Sequence, residues 1–186
     1  MPLLVLLHGA PASGKSTLAR RWADGRPLAL VLDVDVVRSL LGAWQDDPAS
    51  AGVAARDLAL AMARTHLTGG RDVIVPQFLR RTGFADDLAS LASEVGAAFV
   101  EVELEVGVEM AQRRFDRRSA DLGDVAVHGP LWAPMAEVVA AHRELLATRP
   151  RVVVVEQVEG DLDETTRRLA DAVERVHRDD SNLADP

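Results

Sequence analysis

Short runs of branched apolar residues alternate with longer amphipathic stretches along most of this chain. Five runs read as strands: Leu3–Leu7, Leu28–Leu32, Asp72–Val75, Ala98–Glu103 and Val152–Val155. Several are nearly continuous in apolar residues, the pattern of parallel strands covered on both faces. Between them, helical periodicity runs over Ser16–Ala23, Val36–Leu41, Ala54–Leu67, Gly83–Glu94, Val108–Arg118, Trp132–Ala147 and Leu162–Val176. Repeated βα units predict a parallel sheet with right-handed crossovers and helices on both sides. In such folds ligands bind beyond the carboxyl ends of the strands. Arg178–Pro186 is polar and reads as a loose tail, leaving one domain over residues 1–177 with no internal repeat, low-complexity segment or linker.

Composition narrows the class. The 186 residues suffice to bury one core, and 48% hydrophobic with 27% charged residues excludes wholesale disorder. No apolar run approaches the roughly 18 residues of a membrane span. The opening MPLLVLLHGAPASGK lacks a basic leading region and runs into a Gly-rich loop, so it is not read as a secretory signal. The absence of cysteine excludes disulfides and thiolate metal sites. A soluble cytoplasmic domain is the expectation, without any indication of oligomeric state. A net charge of −8 argues against general affinity for nucleic-acid backbone or an anionic membrane. Twenty of the 21 basic residues are arginine, and the one lysine is Lys15.

Lys15 lies in Gly9-Ala-Pro-Ala-Ser-Gly-Lys-Ser-Thr17, a G-x-x-x-x-G-K-[ST] pattern placed between a predicted strand and a predicted helix. Gly9 and Gly14 let the backbone turn so that successive N–H groups point at phosphate oxygens, and the helix N-terminus adds partial positive charge. Lys15 places an ammonium between the terminal phosphates, while the Ser16 hydroxyl is suited to Mg²⁺. The candidate residues for binding ATP or GTP are therefore Gly9, Ala12, Ser13, Gly14, Lys15, Ser16 and Thr17.

Two further clusters carry chemistry. The second strand ends in Asp33-Val-Asp35-Val-Val-Arg38, with Asp35 and Arg38 on one helical face. A carboxylate near a γ-phosphate can take the proton of an attacking hydroxyl, and Arg38 can hold the acceptor or an anionic group on it. The plainer reading is a helix cap with a surface ion pair. Asp33 suits either a place near Mg²⁺ or a simple cap. In Gln112-Arg113-Arg114-Phe115-Asp116-Arg117-Arg118, Arg114 and Arg118 are four residues apart and project together. One guanidinium can stack on a base while the other reaches the phosphates, although a solvated helix end explains one or two of these arginines.

The chain resembles small P-loop kinases of the nucleoside-monophosphate-kinase-like group, which includes shikimate and gluconate kinases, polynucleotide kinases, zeta toxins and chloramphenicol phosphotransferase. GAPASGKST, then Asp33, Asp35 and Arg38, then Arg114, Phe115 and Arg118 carry the resemblance, which spans roughly residues 3–176. It implies a three-layer α/β/α fold with a five-stranded parallel sheet and a short arginine-bearing lid after Arg118. It also implies Asp35 as catalytic base, Arg38 on the acceptor, Arg114 over the nucleobase and Arg118 on the phosphates. One departure concerns Pro76 and Gln77, where many relatives carry an aspartate that orients the Mg²⁺ shell. Gln77 supplies no charge, so Asp33 takes that role or metal binding is looser. The Val-Pro after this strand also resembles tunicamycin-resistance proteins of the same superfamily, which points toward an antibiotic-like acceptor.

Acceptor-binding candidates follow the second and third strands and the lid: Trp44, Gln45, Asp46 and Asp47; then Gln77, Phe78, Arg80 and Arg81; then His128 and Trp132. Such aromatic surfaces suit a sugar, nucleoside or polyketide-like alcohol. His8 is expected to support the loop turn, and no histidine has metal-ligand spacing. The leading expectation is a phosphotransferase acting on a small-molecule hydroxyl, serving metabolism or antibiotic inactivation. A nucleotide-dependent switch and a polynucleotide 5′-kinase are the alternatives, the latter disfavoured by the acidic charge.

Overall fold

The computed structural model describes residues 1–120 and 131–183. Among these, five strands form one all-parallel sheet: β1 (Leu3–His8), β2 (Leu30–Val31), β3 (Val73–Pro76), β4 (Ala98–Glu105) and β5 (Val153–Glu156). Their spatial order is β2-β3-β1-β4-β5, with β1 hydrogen-bonded to β3 on one side and β4 on the other. Every residue of β1 is buried, which is why its apolar run is unbroken.

Helices cover both faces. α1 (Lys15–Asp24) and α7 (Leu162–Leu183) pack Leu18, Ala19, Trp22, Leu169 and Val173 against Val5, Leu7, Val100, Val102 and Leu104. On the opposite face, α3 (Pro48–Thr68) and α4 (Gly83–Val95) meet Leu4, Leu6, Val73 and Val75. α3 presents Ala51, Ala55, Ala59 and Ala63 at four-residue spacing, small side chains that admit close helix packing. A third cluster of Ala10, Val106, Ala111, Met135 and Val139 seats α5 (Val108–Ser119) and α6 (Met135–Ala147) beside the first loop. The short helix α2 (Val34–Ser39) follows β2. The three-layer α/β/α fold with its five-stranded parallel sheet is therefore the architecture the periodicity and the resemblance implied.

β4 carries glutamate at every second position, Glu101, Glu103 and Glu105, and period-2 geometry sends all three to one face. Each meets a base. Glu101 Oε1 lies 2.5 Å from His8 Nε2 and accepts from Arg149 Nε at 2.5 Å, Glu103 is 3.0 Å from His142, and Glu105 accepts from Arg143 at 3.0 Å. Burial favours the neutral carboxyl of Glu101, yet the bonds to His8 and Arg149 outweigh it and hold the group below the usual carboxylate range. Arg149 continues to Asp86 on α4 at 2.6 Å, so this network ties α4, β4 and the end of β1 together. His8, directly before the loop, is fully buried within it.

Several boundaries differ from the sequence reading. α3 begins at Pro48 rather than Ala54, because Asp47 caps Ser50 N at 3.1 Å and Pro48 fills the first helical position. α6 begins at Met135 rather than Trp132, since Pro134 disfavours helical backbone in the residue before it. β2 shrinks to two residues at a sheet edge, after Leu28 at φ 60°. α7 runs on to Leu183, so much of the tail expected over Arg178–Pro186 is helix. The lid expected after Arg118 (residues 121–130, with His128) and residues 184–186 lie outside the described residues.

Candidate active site

The loop between β1 and α1 is shaped by its glycines. Gly14 sits at φ 90°, and a Cβ there would stand 3.3 Å from Gln157 Nε2. At Gly9 a Cβ would fall 2.6 Å from Ser13 Oγ and 3.3 Å from Leu104 O, so a side chain there would force the Ser13 hydroxyl to move. Ala12, at φ 60°, also takes a left-handed conformation, and Ser13 N donates to Ala10 O at 3.1 Å. The loop then enters α1 directly, with the helix N-terminus behind it.

Lys15 folds back across the loop, its Nζ donating to Ala10 O at 3.1 Å. Loss of hydration lowers its pKa to about 8, and the charge of Arg118 adds to the shift against Asp35, Asp33 and Glu103. Ser16 Oγ donates to Asp33 Oδ2 at 3.0 Å, while Asp33 Oδ1 accepts from Asp35 N at 3.1 Å. Asp33 thus caps α2 and faces the loop hydroxyl at once. Asp35 pairs with Arg38 at 3.0 Å, and the Arg38 guanidinium lies 4.8 Å from the Trp44 ring centre.

Arg114 and Arg118 turn inward from α5, whereas Arg113 and Arg117 are exposed. Arg114 donates to Gln157 Oε1 at 2.6 Å and reaches Ser13 O at 3.5 Å. Arg118 lies over the Phe115 ring at 5.4 Å. Arg80 stacks on Trp132 at 4.9 Å, an indole still 49% exposed.

Three adjoining cavities organise these groups. One of about 290 Å³ is lined by Ala12, Gly14, Lys15, Ser16, Thr17, Arg20, Asp33, Val36, Arg114 and Arg118. A second of about 290 Å³ adds Asp35, Arg38, Gln77, Phe78, Arg80 and Trp132 to Lys15, Ser16, Asp33 and Arg118. The third, about 820 Å³, runs from Asp35, Arg38 and Gln77 past Arg80 and Arg81 to Pro48, Arg56 and Asp87. The motif residues separated in sequence thus gather at the carboxyl end of the sheet. Trp44 stands behind Arg38 and lines none of the three, while Gln45 and Asp46 are exposed and Asp47 caps α3.

Three groups went unnamed in the sequence reading. Arg20 is one helical turn beyond Thr17, a signal available from spacing. Gln157 directly follows β5, at the strand end where ligands gather. Arg56 lies within the predicted helix and lines the groove together with Pro48, Ala49, Gly52 and Val53 from the turns before it.

A strand, a phosphate loop and a helix at the centre of a five-stranded parallel sheet define a P-loop nucleotide-binding protein of the kinase-like type. A family described as an AAA domain matches residues 4–142, and the chain belongs to that family. No curated protein matches it significantly. Among solved structures it is similar to a candidate kinase from Chloroflexus aurantiacus (17% identity, TM-score 0.70, 92% of this chain and 98% of that one). It is also similar to a gluconokinase from Sinorhizobium meliloti (19%, TM-score 0.61, 98% and 96%). A tunicamycin resistance protein from Deinococcus radiodurans has the same fold (14%, TM-score 0.59, 92% and 95%).

Proposed function

We propose that this protein is a phosphotransferase that moves the γ-phosphoryl group of ATP or GTP to a hydroxyl of a small molecule. The observation that carries the reading is Asp35. Its carboxylate lines the cavity it shares with Lys15, Ser16 and Arg118, and it also opens onto the large groove beside it. A nucleotide-binding module has no need of a carboxylate between a phosphate site and a second pocket; a phosphotransferase does.

In this reading the loop N–H groups, Lys15 and Arg118 neutralise the phosphates as charge spreads in the transition state. Asp35 orients the attacking hydroxyl and takes its proton, with Arg38 holding the carboxylate in place at 3.0 Å. Arg114, fixed by Gln157, borders the nucleoside side of the loop, alongside Thr17 and Arg20. Ser16 and Asp33 suit Mg²⁺, since they offer hard oxygens side by side at the loop. No group of three or more potential His, Cys, Asp or Glu ligands occurs among the described residues. Bound there, Mg²⁺ supplies charge neutralisation across the phosphates. Gln77, Phe78, Arg80, Arg81 and Trp132 then belong to the acceptor side, with Arg38 and its stacked Trp44. The likeness to a gluconokinase and to a tunicamycin resistance protein supports a sugar- or nucleoside-like acceptor, in metabolism or in antibiotic inactivation.

The test incubates the protein with γ-labelled ATP or GTP, Mg²⁺ and pooled alcohols: sugars, nucleosides, antibiotics and 5′-hydroxyl oligonucleotides. Mass spectrometry reads the phosphate adduct. An adduct on a small molecule is expected, reduced 10²- to 10⁴-fold, roughly, in Asp35→Asn with ADP affinity retained. Transfer to oligonucleotides alone would establish the polynucleotide-kinase reading, and nucleotide hydrolysis with no adduct would favour a switch.

A further inference from the structure

We propose that the acceptor carries an anionic group, a phosphate or carboxylate, held by Arg56 and Arg81 in the large groove. The inference rests on the phosphotransferase reading and deepens it. The groove extends from the Asp35 carboxylate between the start of α3 and the start of α4, and its walls carry Arg38, Arg56, Arg80 and Arg81 against Asp35 and Asp87. Asp35 and Arg38 form an ion pair. Beyond that pair, three guanidinium groups face one carboxylate, in a chain whose net charge is −8. Positive charge gathered in one cleft of an acidic protein focuses the field on an anionic ligand rather than on the surface at large.

The groove lining combines polar, apolar and cationic groups. Near Asp35, Gln77 Oε1 is buried and has no hydrogen-bond partner among the described residues. It is an acceptor placed for a hydroxyl or amide of the ligand. Phe78, Leu79, Phe84 and Val53 give the groove an apolar surface. Arg56 and Arg81 line the same groove, both exposed. Guanidinium forks match phosphate and carboxylate oxygens in pairs, so arginine at these positions selects planar or tetrahedral anions more sharply than lysine would. A volume of about 820 Å³ exceeds the need of a single hexose. The fitting ligand is an anionic alcohol up to nucleotide size, with the reacting hydroxyl at Asp35 and the anion at Arg56 and Arg81.

Matched neutral and anionic alcohols test this: glucose against gluconate and glucose 6-phosphate, and uridine against UMP, each with ATP and Mg²⁺. Adducts are expected on anionic members, with gluconate against the phosphates separating the two sources of charge. The double variant Arg56→Gln/Arg81→Gln should raise the KM of the preferred anion roughly ten- to a hundredfold. Equal transfer to neutral partners overturns the inference. So does a KM indifferent to the double variant, or no anionic adduct from a protein that binds ADP. Failure to bind ADP at all would instead overturn the phosphotransferase reading beneath it.

Discussion

Lys15 is the only lysine in a chain that has no tyrosine and no cysteine. Above about pH 8, therefore, no other side chain titrates until arginine, and acetylation removes the α-amino group, which ordinarily titrates near 8. The structure brings Lys15 from 10.5 to about 8, mainly by loss of hydration and further by Arg118. Two consequences of opposite sign follow. The unfolded chain holds the Lys15 proton up to its ordinary value, so between pH 8 and about 10.5 the unfolded state binds more protons and folding stability rises with pH. The full gain is up to about 3 kcal/mol. Nucleotide binding moves the other way. Phosphates favour the ammonium, so only protonated Lys15 binds ADP well, and the apparent Kd rises roughly tenfold from pH 7 to 9. Measured in EDTA by isothermal calorimetry, with thermal unfolding alongside, the protein should bind ADP more weakly as it melts at higher temperature. Lys15→Met removes both slopes. A flat Kd from pH 7 to 9, or equal slopes in Lys15→Met, would refute the reasoning.

Glu101→Ala leaves His8 and Arg149 without their shared partner, and should cost about 3–5 kcal/mol in urea unfolding at neutral pH. Because Glu101 is held below its ordinary range, its stabilisation is complete above that range and fades as acid titrates the folded carboxylate. Glu101→Gln should thus flatten the acid limb of the stability profile, and an unchanged limb would contradict the pairing. Gly14→Ala forces a side chain to φ 90°, costing about 1–2 kcal/mol, and should weaken ADP binding at least tenfold by calorimetry. Gln157→Ala frees Arg114 from its 2.6 Å bond; ADP affinity should fall several-fold, with no further loss when Arg114→Ala is added.

What could be read from the sequence is what short spacing controls. The loop from Gly9 to Thr17 must be contiguous to wrap a phosphate, and Arg114 with Arg118 share a helical face by periodicity alone. The five strands were legible because central parallel strands are buried on both sides, and β1 shows that pattern in its purest form. β4 was harder. Its alternating glutamates imitate a strand with one wet face, yet Glu101 is buried against His8 and Arg149, partners 93 and 48 residues away. No local pattern announces a base supplied from that distance.

The groove arises the same way. Asp47-Pro48 is a recognisable cap and first helical residue, but apolar periodicity starts later, at Ala54, and drew the predicted boundary with it. The missing turns of α3 carry Pro48, Ala49, Gly52 and Val53, which line the same cavity as Arg56 and Arg81. A boundary error of six residues in one helix therefore hides part of the groove wall, while leaving the fold unaffected. In the proposed reading, phosphate recognition depends on backbone that the chain must carry in one piece, and acceptor recognition on side chains gathered from α2, α3 and the loop after β3. The reaction is accordingly plainer in this sequence than its second substrate, and the charge on the groove walls becomes visible only once those three segments are brought together.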